Sequence, residues 1–119
     1  MSKRVSWASL TATLLLAGCG GAAIPQEQLS TAQATQKGAE VAGAAEDPKA
    51  SLHLKLATEQ IEKAKALIAD GQNEEAASVI DRAQADAELA IVLAKAAQAK
   101  KAAAEAGEQV EELKRRLQK

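Results

Sequence analysis

The sequence has very few aromatic side chains: one Trp lies near the N-terminus, and the 119 residues contain no Phe or Tyr. A single Cys excludes an internal disulfide. Fifteen basic side chains stand against sixteen acidic ones, so the chain lacks the clustered positive charge and stacking aromatics on which nucleic-acid binding depends. These shortages argue against a large aromatic core, a roomy enzyme pocket and a nucleic-acid partner.

The N-terminus has the layout of a secretory signal peptide. Lys3 and Arg4 form a basic start, residues 5–16 are mostly apolar, and small residues follow before Cys19. The apolar stretch is shorter than the roughly 20 residues that cross a bilayer as a helix. We therefore expect an exported chain in which residues 1–18 are the leader.

The motif Leu16-Ala17-Gly18-Cys19 resembles the lipobox of bacterial lipoproteins. The resemblance implies that the Cys19 thiol receives diacylglycerol, that cleavage occurs before Cys19, and that the new amino terminus is acylated. Several acyl chains anchor a protein stably, since each buried methylene contributes about 0.8 kcal/mol. Gly20 stands where an Asp signals retention in the inner membrane, so the resemblance implies an outer-membrane protein facing the periplasm, with no cofactor. The alternative is a free Cys behind an ordinary signal peptide.

Beyond a short tether at residues 19–25, the composition favours helix. The chain is rich in Ala, Glu, Gln, Lys and Leu, which are strong helix formers, and no stretch alternates as a strand does. The first predicted helix covers roughly residues 26–44. Thr and Gly residues weaken it and make it the segment most prone to fray, although four apolar residues lie near helical spacing: Leu29, Ala32, Ala39 and Ala42.

Asp47 and Pro48 predict the start of a second helix, because Asp is a good N-cap and Pro suits the first helical position. The helix runs to about Asp70, and Gly71 suits a left-handed turn after it. Asn73 is placed to cap a third helix, and so short a link makes the two helices antiparallel neighbours. The apolar stripe of the second helix is Leu54, Ala57, Ile61, Ala64 and Ile68.

The third predicted helix runs from Glu74 to the C-terminus. Ala recurs along it every seven residues, with a second apolar position four residues later: Ala76, Ile80, Ala83, Ala87, Ala90, Ala94, Ala97 and Ala104. Such an Ala seam lets helix backbones approach closely. Few large apolar residues follow until Val110, so residues 101–119 are expected to project or to pair with another chain. The sequence thus predicts an all-α domain over residues 26–119, either an antiparallel helical hairpin or a three-helix bundle.

No pattern of side chains predicts catalysis or metal binding. His53 is the only His and has no Cys or second His with which to share a metal. The three carboxylates within residues 81–88 lie on an Ala-rich helix that offers no deep pocket. Asp86 interrupts an apolar stretch and is predicted to bond across to Lys63 or Gln60. We therefore expect no enzymatic activity.

The helical body resembles small bacterial envelope proteins that carry domain of unknown function 4398. The resemblance covers roughly residues 25–97 and implies an Ala-rich helical fold, often on a lipoprotein. Some members continue into an OmpA-like peptidoglycan-binding domain, which this sequence lacks, so that activity is not implied. The residues that carry the resemblance are Leu56-Ala57, Ala64, Leu67, Gly71, Glu75-Ala76, Ala83 and Ala85-Asp86-Ala87-Glu88-Leu89-Ala90.

The basic C-terminus, Lys114-Arg115-Arg116-Leu117-Gln118-Lys119, is similar to that of Braun-type lipoproteins. This similarity implies that a transpeptidase joins the Lys119 side chain to peptidoglycan. The alternative is that the basic residues only complement the helix dipole.

Three functions fit the sequence. The leading one is a non-enzymatic envelope lipoprotein that acts as a structural or protein-interaction module, as a homo-oligomer or with another envelope protein. The second is a tether from the outer membrane to peptidoglycan through Lys119. The third, a periplasmic holdase-like chaperone, is disfavoured by the shortage of large apolar residues.

Overall fold

The computed structural model describes residues 21–119. Within them the chain forms three α-helices, α1 (Gln26–Val41), α2 (Pro48–Ala69) and α3 (Asn73–Leu117), with a short 3₁₀ turn at Ala44–Glu46. The predicted all-α class and long C-terminal helix are confirmed. Of the two predicted arrangements, the described residues adopt the three-helix bundle.

The two ends of α2 follow the sequence-based prediction. The Asp47 Oδ1 atom accepts hydrogen bonds from the backbone N–H groups of Lys49 at 3.0 Å and Ala50 at 2.9 Å, and Pro48 is the first helical residue. At the other end Gly71 adopts φ 75°. Hydrogen bonds from the N–H groups of residues 71 and 72 to the carbonyl oxygens of residues 68 and 67 complete a Schellman motif.

The prediction that Asn73 caps α3 is wrong. Asn73 is already the first residue of the helix, Gln72 occupies the cap position, and no side chain makes a cap hydrogen bond. A capping side chain needs a residue with non-helical backbone, and the Schellman motif places the chain in helical conformation by Asn73. The acidic Glu74 and Glu75 in the first turn instead stabilise the positive end of the helix dipole.

The first helix is continuous despite its Thr and Gly residues. The hydroxyls of Thr31 and Thr35 each donate at 3.0 Å to the carbonyl oxygen four residues earlier. Gly38 lies beside α3, where a Cβ atom would come 3.6 Å from Ile91 Cδ1. The helix ends at Val41 rather than near residue 44, because Gly43 takes a left-handed conformation with φ 77°.

The long α3 is the central element of the bundle, with α1 and α2 packed along its first half. Asn73 Nδ2 donates to the carbonyl oxygen of Ala22 at 2.8 Å, before α1. Gln98 Nε2 donates at 2.9 Å to the carbonyl oxygen of Ala42, which directly follows α1. Consequently α1 is parallel to α3 and α2 is antiparallel to both. Residues 99–117 of α3 continue past the α1–α2 connection, and all but Glu112 among them are exposed.

The core changes in character along the bundle. Near Gly71 the buried residues include larger side chains. Near Gly43 the buried residues are all Ala, and the half-buried Leu54, Ile91 and Leu93 pack against them. Because each buried methylene contributes about 0.8 kcal/mol, most of the hydrophobic stabilisation comes from the Gly71 end. The first cluster is Leu29, Ala32, Ile61, Ala64, Leu67, Ala76, Val79, Ile80 and Ala83; the second is Ala39, Ala44, Ala50, Ala90 and Ala94.

Candidate functional site

The predicted lipidation site, Cys19, lies outside the described residues, as do Leu16, Ala17 and Gly18. The described chain begins at Gly21 and runs directly over the start of α3. There the side-chain amide of Asn73 holds the carbonyl oxygen of Ala22 at 2.8 Å. A group carried by Cys19 would therefore be attached at the end of the bundle where α2 turns into α3.

A polar cluster joins α2 to α3 between the two parts of the core. Asp86 Oδ1 lies 2.7 Å from His53 Nδ1, and Asp86 Oδ2 accepts a hydrogen bond from Gln60 Nε2 at 2.8 Å. All three side chains are half-buried. The predicted bond from Gln60 is present, whereas Lys63 lies 4.0 Å from Glu75 instead. The cluster fixes the register of the α2–α3 pair.

The contact between His53 and Asp86 was not predicted from the sequence. In an antiparallel helix pair, residues at similar distances from the connecting turn face each other. Asp86 lies 15 residues after Gly71, and His53 and Gln60 lie 18 and 11 residues before it, so Asp86 faces the stretch of α2 between them. This spacing is the signal that would have revealed the contact.

A second polar contact fixes α1 against α2. Gln36 Nε2 donates to Thr58 Oγ1 at 2.9 Å, and the Thr58 hydroxyl donates to the carbonyl oxygen of Leu54 at 2.9 Å. This contact lies outside the Ala seam. Since a net hydrogen bond is worth about 1 kcal/mol, it orients α1 more than it stabilises the fold.

The polar cluster around Asp86 has the chemistry of a structural contact. A nucleophilic site of the Ser-His-Asp type needs a hydroxyl or thiol within hydrogen-bond reach of the His ring. Within residues 21–119, the side chain of His53 makes a hydrogen bond to Asp86 alone. The same residues contain no group of His, Cys, Asp or Glu that could hold a metal ion.

The exposed part of α3 ends in a basic tip that carries the second predicted site, Lys119. Ion pairs within the helix reinforce this part: Glu111 with Lys114 at 2.9 Å, and Glu112 with Arg115 at 3.0 Å and Arg116 at 2.9 Å. Each such surface pair contributes only about 0.2–0.5 kcal/mol. Lys119 is exposed and forms no ion pair within the described chain.

The tether and Lys119 lie at opposite ends of α3. The helix has 45 residues, which at 1.5 Å per residue gives a length of about 68 Å. None of the helices described between residues 21 and 119 is long and apolar enough to cross a membrane.

Comparison with known proteins identifies the helical body. Neither the curated proteins nor the solved structures give a significant match. A protein family described as Domain of unknown function (DUF4398) matches residues 27–106. The match includes α1, α2 and the first three quarters of α3, which is more than half of the chain. The protein belongs to the DUF4398 family.

Proposed function

We propose that this protein is a non-enzymatic lipoprotein of the cell envelope, anchored by acylated Cys19 in the outer membrane and acting in the periplasm as a structural or protein-interaction module. One observation carries the proposal: the chain enters the bundle at one end of α3, and a long exposed part of α3 leaves from the other. This arrangement suits a body held at a surface with an arm directed away from it.

The short tether supports this arrangement. Ala22, whose carbonyl oxygen accepts the hydrogen bond from Asn73, lies three residues after Cys19. At no more than about 3.6 Å per residue, such a tether spans only about 10 Å. Acyl chains on Cys19 would therefore keep the start of α3 close to the lipid headgroups, where one chain alone binds weakly and several bind stably.

Metabolic labelling with a fatty-acid analogue tests the anchor. The unaltered chain should incorporate label and fractionate with membranes, because Cys19 provides the acylated thiol. Cys19→Ala should lose the label, whereas Ala23→Ser, a matched change in the tether, should keep it. Absence of label on the unaltered chain would overturn the proposal.

The outer-membrane location has its own test. Gly20→Asp should move the labelled protein to the inner-membrane fraction of a density gradient, since Asp at this place resembles the retention signal. Ala23→Asp adds the same charge further along the tether and should leave the protein in the outer membrane. A Gly20→Asp protein that stayed there would count against the proposed sorting.

A second candidate function is a tether to peptidoglycan through Lys119. The exposed position of Lys119 at the far end of α3 favours it. In this reaction the Lys119 Nζ amine attacks the carbonyl carbon of an acylated transpeptidase. The new amide bond forms as the enzyme nucleophile leaves with the proton.

Digestion of purified sacculi with lysozyme tests this tether. The unaltered chain should appear as a form enlarged by muropeptide, and Lys119→Arg should abolish that form while keeping the charge. Lys114→Arg is the matched control and should keep it. If no enlarged form is released, or if Lys119→Arg still gives one, the tether is excluded.

A further inference from the structure

A second apolar seam runs along α3, outside the bundle. Its ten residues alternate at spacings of four and three and so keep to one face of the helix. All ten are exposed, including the larger ones: Leu89 at 41%, Val92 at 61%, Val110 at 49%, Leu113 at 59% and Leu117 at 85%. We call this the outer seam; its residues are Ala85, Leu89, Val92, Ala96, Ala99, Ala103, Ala106, Val110, Leu113 and Leu117.

The outer seam faces away from α1 and α2. It is displaced by two positions from the buried Ala seam that contains Ala90 and Ala94. At about 100° per residue, the two seams lie about 160° apart around α3. The outer seam therefore cannot be covered by the chain's own bundle as the described residues are arranged.

The order of residues along the outer seam is nearly palindromic. From Ala85 to Leu117 it reads Ala, Leu, Val, Ala, Ala, Ala, Ala, Val, Leu, Leu, and its two halves differ only at the outermost pair. Two such helices placed antiparallel and centred near Lys101 bring Leu against Leu, Val against Val and Ala against Ala. A two-fold interface requires this kind of self-complementarity.

The flanking charges favour antiparallel over parallel pairing. In the antiparallel register, Glu88 lies beside Arg116 of the second copy, a contact that is made twice, and Lys100 lies near its own symmetry mate. In a parallel register, Lys95 faces Lys100 and the basic tips lie together. Because like charges across an interface are unfavourable, the antiparallel register is preferred. Glu88 contacts no cation among residues 21–119 and accepts one hydrogen bond, from Gln84.

We propose that the outer seam binds a second copy of this chain, with the two α3 helices antiparallel and centred near Lys101. The inference deepens the proposed interaction role of the exposed part of α3 and rests on that role, but it does not depend on acylation of Cys19. In the dimer, the tail of each copy covers the exposed Leu89 and Val92 of the other. The two tether ends then lie roughly 80 Å apart. Pairing therefore lays the arms along the membrane surface, whereas the arm of a single anchored copy is directed away from it.

Disulfide crosslinking of the full chain tests the pairing and its direction. Val92→Cys and Val110→Cys are placed in separate, differently tagged copies, expressed together and oxidised in detergent extracts. The antiparallel register predicts a crosslinked species of mixed tags. Two copies that both carry Val110→Cys should not crosslink. Their thiols would lie about 27 Å apart along the helix axis, which is beyond the reach of a disulfide.

Two controls define the background. The unaltered chain reports any crosslinking through Cys19, and Ala104→Cys places a thiol on the exposed part of α3 but outside the outer seam. Both should give no crosslink above the level of unoxidised samples. Efficient self-crosslinking of Val110→Cys would mean a parallel dimer and would overturn the proposal.

A charge exchange tests the register independently. Glu88→Lys and Arg116→Glu should each weaken dimerisation about fivefold in sedimentation of the full chain in detergent, since two exposed ion pairs are lost. The double variant should recover most of the affinity. The control combines Lys95→Glu with Arg116→Glu. It restores no pair of opposite charges between positions 88 and 116, so it should not recover the affinity.

The remaining outcomes are also decisive. If the full chain is monomeric at all concentrations and no crosslink forms, the proposal fails. If, in a Cys19→Ala background that removes the proposed anchor, Leu113→Glu abolishes binding to phospholipid vesicles without changing the oligomeric state, the outer seam contacts lipid instead of a second copy. If crosslinks form but no fatty-acid label is incorporated, the lipid anchor fails while the dimer stands.

Discussion

Asp86 is the single side chain that makes the most specific contacts between α2 and α3. Its two carboxylate oxygens bind different partners on α2: Oδ1 lies 2.7 Å from His53 Nδ1, and Oδ2 lies 2.8 Å from Gln60 Nε2. The other amide atom, Gln60 Oε1, is buried with no partner in the described chain. Loss of the carboxylate would leave the Gln60 amide without either hydrogen bond.

We predict that Asp86→Ala lowers the free energy of unfolding by about 1–3 kcal/mol, because half-buried polar groups on α2 lose their partner. Urea unfolding followed by circular dichroism measures this loss. Asp81→Ala is the control: Asp81 is exposed on the same helix, and its loss should change stability by less than about 0.5 kcal/mol. Equal effects of the two substitutions would show that the polar cluster does not stabilise the fold.

Among the polar contacts between side chains, the sequence predicted only one for which the antiparallel pairing of α2 with α3 was taken into account. The bond from Gln60 to Asp86 followed from the facing helices, whereas the contact with His53 was missed. Asn73 was assigned to a cap because its residue type is typical of caps. Its real partner, the Ala22 carbonyl oxygen, depends on where α1 packs, which no local pattern specifies.

Gly71 determines how α2 is connected to α3. Its φ of 75° lies in the left-handed region, where a Cβ atom costs roughly 1–2 kcal/mol. Space is not the constraint, because nothing lies within 4 Å of a Cβ atom built there. The requirement for glycine is therefore one of backbone conformation.

We predict that Gly71→Ala lowers the unfolding free energy by about 1 kcal/mol. Gly107→Ala is the matched substitution inside α3, where the added Cβ atom also meets nothing within 4 Å. It should increase helicity and amide protection of the tail, since Ala in a helix is favoured over Gly by up to about 1 kcal/mol. Circular dichroism and hydrogen exchange measure both; a stabilising Gly71→Ala would contradict the role given to the turn.

At the scale of elements, the sequence predicted best the features with a local cause. Asp47, Pro48 and Gly71 marked the ends of α2 because capping and left-handed turns depend on a few neighbouring residues. Gly43 was counted as a weakness in the first helix, although it ends that helix. Of the outer seam, only Val110 was noted from the sequence, because the exposure of Leu89 and Val92 depends on the positions of α1 and α2.

The whole molecule combines a bundle stabilised mainly at one end with an arm that adds nothing to its core. The buried Ile61 and Ile80 lie in the cluster near Gly71. The arm, residues 99–117, contributes no residue to either core cluster. Bundle stability and any contact made by the arm are therefore separable properties.

We predict that deletion of residues 104–119 changes the melting temperature of the bundle by less than about 3 °C at low protein concentration, because only exposed residues are lost. Thermal unfolding monitored by circular dichroism measures this change. Ile61→Ala is the contrasting variant and should cost about 2–5 kcal/mol, since it opens a cavity in the core. A deletion as damaging as Ile61→Ala would mean that the arm packs against the bundle.

The central claim is that the bundle is attached to a membrane through lipid on Cys19. Mass spectrometry of the protein extracted from membranes tests it most directly. We expect an N-terminal peptide that begins at Cys19 and carries the mass of a diacylglyceryl group and an amide-linked acyl chain. An N-terminal peptide with an unmodified Cys19, or one that still contains the leader, would contradict it.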